Sequence, residues 1–234
     1  MTTDVGLVTR RRRLLRLTGL GFVVGSALFA VGVPLSLTPS LPLTVGSAVF
    51  FAGSIFFTAA ALLQLFLSAD ELPAVVHPAD EPSWFARLVR PRTVDWTASA
   101  IQFAGTLWFN VTTFRALADA AGAADATAQA VWKPDAYGSV AFLVSSAMAF
   151  APEVRRRRHG HVRDRSWTIG FLNLLGSVFF GLSAIGAYTL TSTDELLSSW
   201  WANVGTFLGA LSFLIGAVLL IPKAPVPEPV PPLA

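Results

Sequence analysis

Trp167–Leu190 reads WTIGFLNLLGSVFFGLSAIGAYTL, with no Asp, Glu, Lys or Arg. A helix crossing the hydrocarbon core of a bilayer needs about 20 mostly apolar residues, and this stretch supplies them. The rest of the chain repeats the pattern. Similar runs occur at Leu14–Val33, Leu43–Leu67, Val94–Phe114, Ala136–Ala151 and Ser199–Ile221. Over all 234 residues, 53% are hydrophobic and 13% charged, and the mean hydropathy is +0.60. A soluble domain carries about 25% charged residues and could not hide this much apolar surface. With no cysteine, disulfide scaffolds, thiol catalysis and thiolate metal sites are excluded.

Charge gives the spans a direction. Short cytoplasmic loops are rich in Lys and Arg. Arg10–Arg13 and Arg16 precede the first span. Arg87, Arg90 and Arg92 precede the third. Arg155–Arg158, Arg163 and Arg165 separate the fourth from the fifth, and Lys223 follows the sixth. These are fifteen of the 17 basic residues; only Arg115 and Lys133 fall on the other side. The expected fold is all-α: a polytopic membrane protein of six transmembrane helices in three hairpins, about 14–67, 94–151 and 167–221. Both termini are cytoplasmic, in the cell (plasma or inner) membrane. A basic N-terminus, 1–13, precedes the membrane domain. The tail 222–234, with six prolines, reads as extended and disordered. The N-terminal arginines resemble a twin-arginine export signal, but the long apolar stretch behind them lacks a small-residue cleavage site and reads as a retained helix. The basic pI, about 9.9, follows from the inside bias and implies no nucleic-acid partner. Trp96, Trp132, Trp167, Trp200 and Trp201 fall at span boundaries, where amphipathic rings prefer to sit. Pro82–Arg90 reads as a short interfacial helix.

The chain also repeats itself. At an offset of 71, Arg92, Trp96, Thr97, Gln102, Gly105, Thr106 and Phe109 fall on Arg163, Trp167, Thr168, Asn173, Gly176, Ser177 and Phe180. The first helix follows with Gly25, Ser26 and Phe29. In the even helices the element reads Gly46-Ser47-x-x-Phe50 and Gly138-Ser139-x-x-Phe142. In the sixth it reads Gly205-Thr206, with Gly209 in the Phe place. Lipid supplies no hydrophobic drive between helices, so small residues and interhelical hydrogen bonds hold them together. Gly25, Gly46, Gly105, Gly138, Gly176 and Gly205 are therefore the expected packing glycines. Paired spans bearing Gly-Ser-x-x-Phe behind a basic-then-Trp entry, clearest over Arg163–Ile221, resemble the YrhK-like family of bacterial membrane proteins. That resemblance implies a two-helix membrane module and carries no biochemical activity with it.

Chemistry has few places to sit. Every charged residue is assigned to a loop or a helix end, and His77, His159 and His161 all lie in cytoplasmic loops. A proton relay or intramembrane hydrolase needs ionisable groups within the spans, so no catalytic residue, metal or cofactor is expected. The polar feature is a stripe on the third helix, Asp95, Ser99, Gln102, Thr106, Asn110 and Thr113. Asn173 and Ser177 echo it on the fifth helix, and Ser199, Asn203 and Thr206 on the sixth. A stripe in lipid must face protein or water. Two functions fit. The first is a non-enzymatic module acting by helix association, as a homo-oligomer or with partner membrane helices. The alternative is a small-solute or ion conduit whose polar path, between helices three, five and six, is lined by Gln102, Thr106, Asn110, Asn173, Ser177 and Asn203.

Overall fold

The computed structural model describes residues 2–69, 93–123, 127–158, 164–190, 192, 193 and 195–222. The expected interfacial helix at Pro82–Arg90, the three histidines and the tail beyond Pro222 lie outside them. Six helices form: α1 Thr2–Ser36, α2 Leu43–Ala69, α3 Val94–Ala120, α4 Ala128–Arg158, α5 Arg165–Gly186 and α6 Ser199–Leu220. All but α3 are long and apolar enough to cross a membrane. α3 has 27 residues but holds Asp95, Gln102, Asn110, Arg115, Asp119 and several threonines. Ser99, Thr106, Thr112 and Thr113 on it are buried, so much of its polarity is turned towards protein.

Sequence places the helix starts. Thr93, Asp164 and Ser198 each accept a hydrogen bond from the backbone N–H of a tryptophan three residues on, Trp96, Trp167 and Trp201. Each cap satisfies one of the orphan donors of a first helical turn. α3 ends at Ala120, and just past its cap Gly122 takes a φ of +66°, the left-handed position that closes a helix. α4 is longer than its apolar run: it begins at Ala128 rather than Ala136 and continues to Arg158 despite Pro134 and Pro152. Pro134 has no N–H for the Ala130 carbonyl. The Arg115 guanidinium donates to that carbonyl instead, at 2.6 Å. One of the two basic residues on the sparsely charged side thus repairs a helix. α5 ends four residues before Leu190. There the chain turns through an isolated antiparallel bridge, Thr189 to Leu196.

The helices pair α1 with α2, α3 with α4 and α5 with α6, and these pairs close into a ring through α2–α3, α4–α5 and α1–α6. Neighbours run antiparallel. Between α2 and α3, for example, Ser54 meets Thr113 while Thr58 meets Asn110. Between α4 and α5, Ser139 meets Phe180 while Ser146 meets Ser177. One end of the ring therefore gathers the starts of the odd helices and the ends of the even ones, with the arginine clusters. There Arg165 donates to the terminal carbonyls of Leu219 and Ile221, at 2.5 and 2.6 Å.

Each hairpin crosses at a reciprocal glycine seam. A Cβ on Gly25 would sit 3.0 Å from the Gly53 oxygen and 2.8 Å from the Phe57 ring. One on Gly53 would meet the Gly25 oxygen at 3.2 Å and the Phe29 ring at 2.8 Å. Gly105 and Gly138 repeat this with Phe142 and Phe109, and Gly176 and Gly209 with Phe213 and Phe180. This corrects the register of the repeat. In α2 the matching element is Gly53-Ser54-x-x-Phe57, one helical repeat beyond Gly46, and in α6 it is Gly209-Ala210-x-x-Phe213, with no missing phenylalanine. All six helices carry Gly-(Ser/Thr/Ala)-x-x-Phe. Gly46 packs on Ser36, and Gly205 on the backbone of Phe179 and Ser183, nearer the loop ends of their hairpins.

Candidate functional site

The six phenylalanines converge on the ring axis. Phe57, Phe142 and Phe213, from the even helices, form a closed triad with ring centroids 5.7–6.4 Å apart. Phe29, Phe109 and Phe180, from the odd helices, stack on it. Phe180 contacts the other two at 5.9 and 5.7 Å. Within hairpins the two layers are joined by Phe29–Phe57, Phe109–Phe142 and Phe180–Phe213, at 5.0–5.7 Å. All six are at least 94% buried. Tilted and edge-to-face rings at these separations attract one another beyond simple area burial. The small residue three positions before each phenylalanine lets the helices close around the rings. Ser26, Ser54, Thr106, Ser177 and Ala210 are fully buried, and Ser139 is 3% exposed.

The plug separates two cavities. The larger, about 270 Å³, opens at the arginine-rich end, and Phe57 and Phe213 line its floor. The smaller, about 150 Å³, lies beyond the other triad, lined by Phe29, Phe109 and Phe180. The residue seven positions before each phenylalanine, two turns away on the same helix face, decides what the cavities contain. In α1, α3 and α5 it is Phe22, Gln102 and Asn173, all lining the larger cavity. In α2, α4 and α6 it is Phe50, Asp135 and Thr206, all lining the smaller. The first hairpin thus offers phenylalanine to both sides. The second offers an amide and a carboxylate, and the third an amide and a hydroxyl.

In the larger cavity the amides of Gln102, Asn173 and Gln64 make no side-chain hydrogen bond among the described residues, and all three line the space. Thr18, 1% exposed, also lines it, and its hydroxyl has no partner there. Arg11 and Asp95 stand on its rim, and the walls between are Leu15, Leu67, Ile169 and Leu220. An apolar cavity with a few converging amide groups offers both donors and acceptors to a small polar guest.

The structure divides the polar stripe. Gln102 and Asn173 face the cavity with Asp95 and Ser99, but the other four path candidates line neither cavity. Thr106 donates to the Phe103 carbonyl. Ser177 pairs with Ser146 at 2.7 Å. The Asn110 amide donates to Thr58 at 2.9 Å. Asn203 donates to the Ser199 carbonyl at 2.7 Å. The polar space runs down the ring axis rather than between helices three, five and six. Further hydroxyls tie the helices: Ser145 to the Ala98 carbonyl, Ser54 to Thr113, and Ser183 to Thr206. Such bonds are worth about 0.6 kcal/mol each in a bilayer.

Gln64, Thr18 and Asp135 are among the cavity residues that escape sequence reasoning. Thr18 has no polar neighbour at helical spacing, and Gln64 has only Ser68. Asp135 is assigned to a loop when α4 is started at Ala136, yet it stands in the second turn of that helix and lines a cavity. The signal that finds Asp135 is the Gly-x-x-x-Phe element read in all six helices, counted seven residues back. Set against family models, curated proteins and solved structures, the chain matches none of them.

Proposed function

We propose that this is a multi-pass membrane protein that binds a small polar solute in the larger cavity and passes it along the ring axis when the phenylalanine plug opens. All six helices span, α3 included, with its polar groups shielded inside the ring. The arginine-rich end is cytoplasmic by the positive-inside rule, so the termini and the larger cavity face the cytoplasm of the cell (inner) membrane. On this reading the chain is three fused two-helix modules of the YrhK-like kind, and no chemical step is assigned to it.

The observation that carries the proposal is the pair of cavities set back to back across six phenylalanines. Hydrophobic constrictions close pores by excluding water, and binding sites near the midplane between internal repeats are a recurrent transporter design. A bundle held only for stability would fill all six equivalent positions with apolar side chains, as the first hairpin does with Phe22 and Phe50. The glycine seams, the main argument for association with other helices, are occupied within the chain, each against its own hairpin partner.

The test is solute flux in proteoliposomes with a panel of small polar solutes. Phe57→Ala with Phe213→Ala opens the floor of the larger cavity. It is expected to raise leakage of small solutes at least about tenfold, a barrier change of about 1.4 kcal/mol, while a bulky trapped dye stays inside. Adding Gln102→Leu should lower the flux again. A folded plug variant as tight as protein-free vesicles would overturn the proposal.

A further inference from the structure

The smaller cavity has the chemistry of a cation site. Among the described residues Asp135 is the one acidic group on its wall, and no basic side chain lines it. Among the described residues Asp135 has no ion pair or hydrogen bond. The two cations of that end are elsewhere: Arg115 is exposed and donates to the Ala130 carbonyl, and Lys133 is exposed. A carboxylate facing a largely apolar cavity without a counter-charge is costly, and the cost is relieved by a proton or by a bound cation.

The hydroxyls around it have the right polarity. Thr112 donates its hydrogen to the Val131 carbonyl; Thr113 and Thr206 each stand within hydrogen-bond reach of a backbone carbonyl, of Phe109 and of Ala202, and of a second hydroxyl, of Ser54 and of Ser183. Each hydroxyl has one hydrogen and two lone pairs. Each of the three lines the cavity and keeps lone-pair capacity for a guest there. The plug rings on the floor are compatible with the same guest, since an aromatic ring attracts a cation over its face. A carboxylate, hydroxyl oxygens and aromatic walls together recognise positive charge and disfavour anions.

We infer that the smaller cavity binds one small monovalent cation, an alkali ion or a small protonated amine, against the carboxylate of Asp135. This does not depend on solute passage through the larger cavity, because the two sites use different residues on opposite sides of the plug.

The test uses the full chain in nanodiscs. Dicyclohexylcarbodiimide modifies enclosed carboxyl groups, and peptide mass spectrometry reads its attachment at Asp135. Sodium, potassium and methylammonium chlorides are titrated at constant ionic strength, balanced with a bulky organic cation. Saturable protection of Asp135 is expected. Protection by the alkali ions identifies an inorganic ion as the occupant, and protection by methylammonium alone identifies an amine. Both support the site. Thermal unfolding should show a saturable rise over the same concentrations, lost in Asp135→Asn. Thr206→Val should weaken the apparent affinity at least about tenfold. If no cation protects Asp135, or if the thermal rise persists unchanged in a folded Asp135→Asn variant, the inference fails. The labelling arm needs only the wild-type chain, so it decides the matter even if Asp135→Asn does not fold.

Discussion

Two glycines of α5 and α6 give opposite predictions from one substitution. A Cβ on Gly205 would stand 2.7 Å from the Phe179 oxygen, 2.8 Å from the Ser183 nitrogen and 2.9 Å from the Ser183 Cβ. Two of these atoms are backbone, so no side chain can swing away, and the helices must part by several tenths of an ångström. Overpacking of this kind costs about 1–3 kcal/mol. Gly→Ala in a helix interior returns about 1 kcal/mol through propensity, so the net destabilisation of Gly205→Ala is up to about 2 kcal/mol. A parted seam would also strain the bond between Ser183 and Thr206, now 2.7 Å. Gly181, one turn from the seam on α5, has nothing within 4 Å of its would-be Cβ. Gly181→Ala should keep the propensity gain and lose nothing, rising in stability by up to about 1 kcal/mol. Both variants can be compared with wild type by reversible unfolding in mixed micelles, with Trp200 and Trp201 fluorescence reporting on the hairpin. If Gly205→Ala proves as stable as Gly181→Ala, the contact of Gly205 with the Phe179–Ser183 backbone is not close-packed, and the reasoning from that contact fails.

Other outcomes follow from named contacts. Replacing Arg115 with Met removes the donor to the Ala130 carbonyl. At an exposed position this should cost about 1 kcal/mol and raise hydrogen exchange in the first turns of α4. Ser146→Ala breaks the bond to Ser177; the expected loss is about 0.6 kcal/mol, measurable only by careful unfolding. Phe142→Ala deletes a ring that touches Phe57, Phe109 and Phe213. It should cost about 3–5 kcal/mol and make vesicles permeable to small solutes. Gln102→Leu, lacking the cavity amide, should reduce solute retention in equilibrium binding without lowering the unfolding midpoint.

The sequence announces the fold because lipid imposes a length and a polarity on each span, and both survive in the composition. The sorting of basic residues survives for the same reason. The ends of α4 do not, since periodicity stops where apolar residues stop, whereas the helix continues as long as its carbonyls find donors. Pro134 looks like a boundary until Arg115 is placed beside Ala130. That misplaced start also hid Asp135. The register of α2 and α6 was open to error for a different reason. Gly46 and Gly205 sit on the same hairpin faces as Gly53 and Gly209, and sequence alone cannot tell which glycine meets the partner helix at the crossing. Gln102 and Asn173 stood out as a matched amide pair. Only packing separates them from Thr106 and Ser177, four residues further along the same faces, because the phenylalanine plug ends the open space between the two positions.

That plug also explains why one short element recurs in helices of both directions. In each hairpin the glycine of one helix receives the phenylalanine of the other, and the exchange is mutual. The two helices are therefore related by an approximate two-fold axis through the crossing, and the three hairpins by an approximate three-fold axis along the ring. A position counted back from the phenylalanine then projects to one end of the axis in odd helices and to the other end in even ones, which is how Phe22, Gln102 and Asn173 come to face Phe50, Asp135 and Thr206 across the plug. Such an arrangement gives two vestibules of the same design, and substitution at three positions apiece makes them chemically different. The amides dominate one and the carboxylate the other. A chain whose two sides were equivalent would have no reason to differ there. The difference ties function to the seventh residue before each plug phenylalanine, and exchanging Gln102 with Asp135 should exchange the cation preference of the two cavities while the seams, and with them the fold, stay as they are.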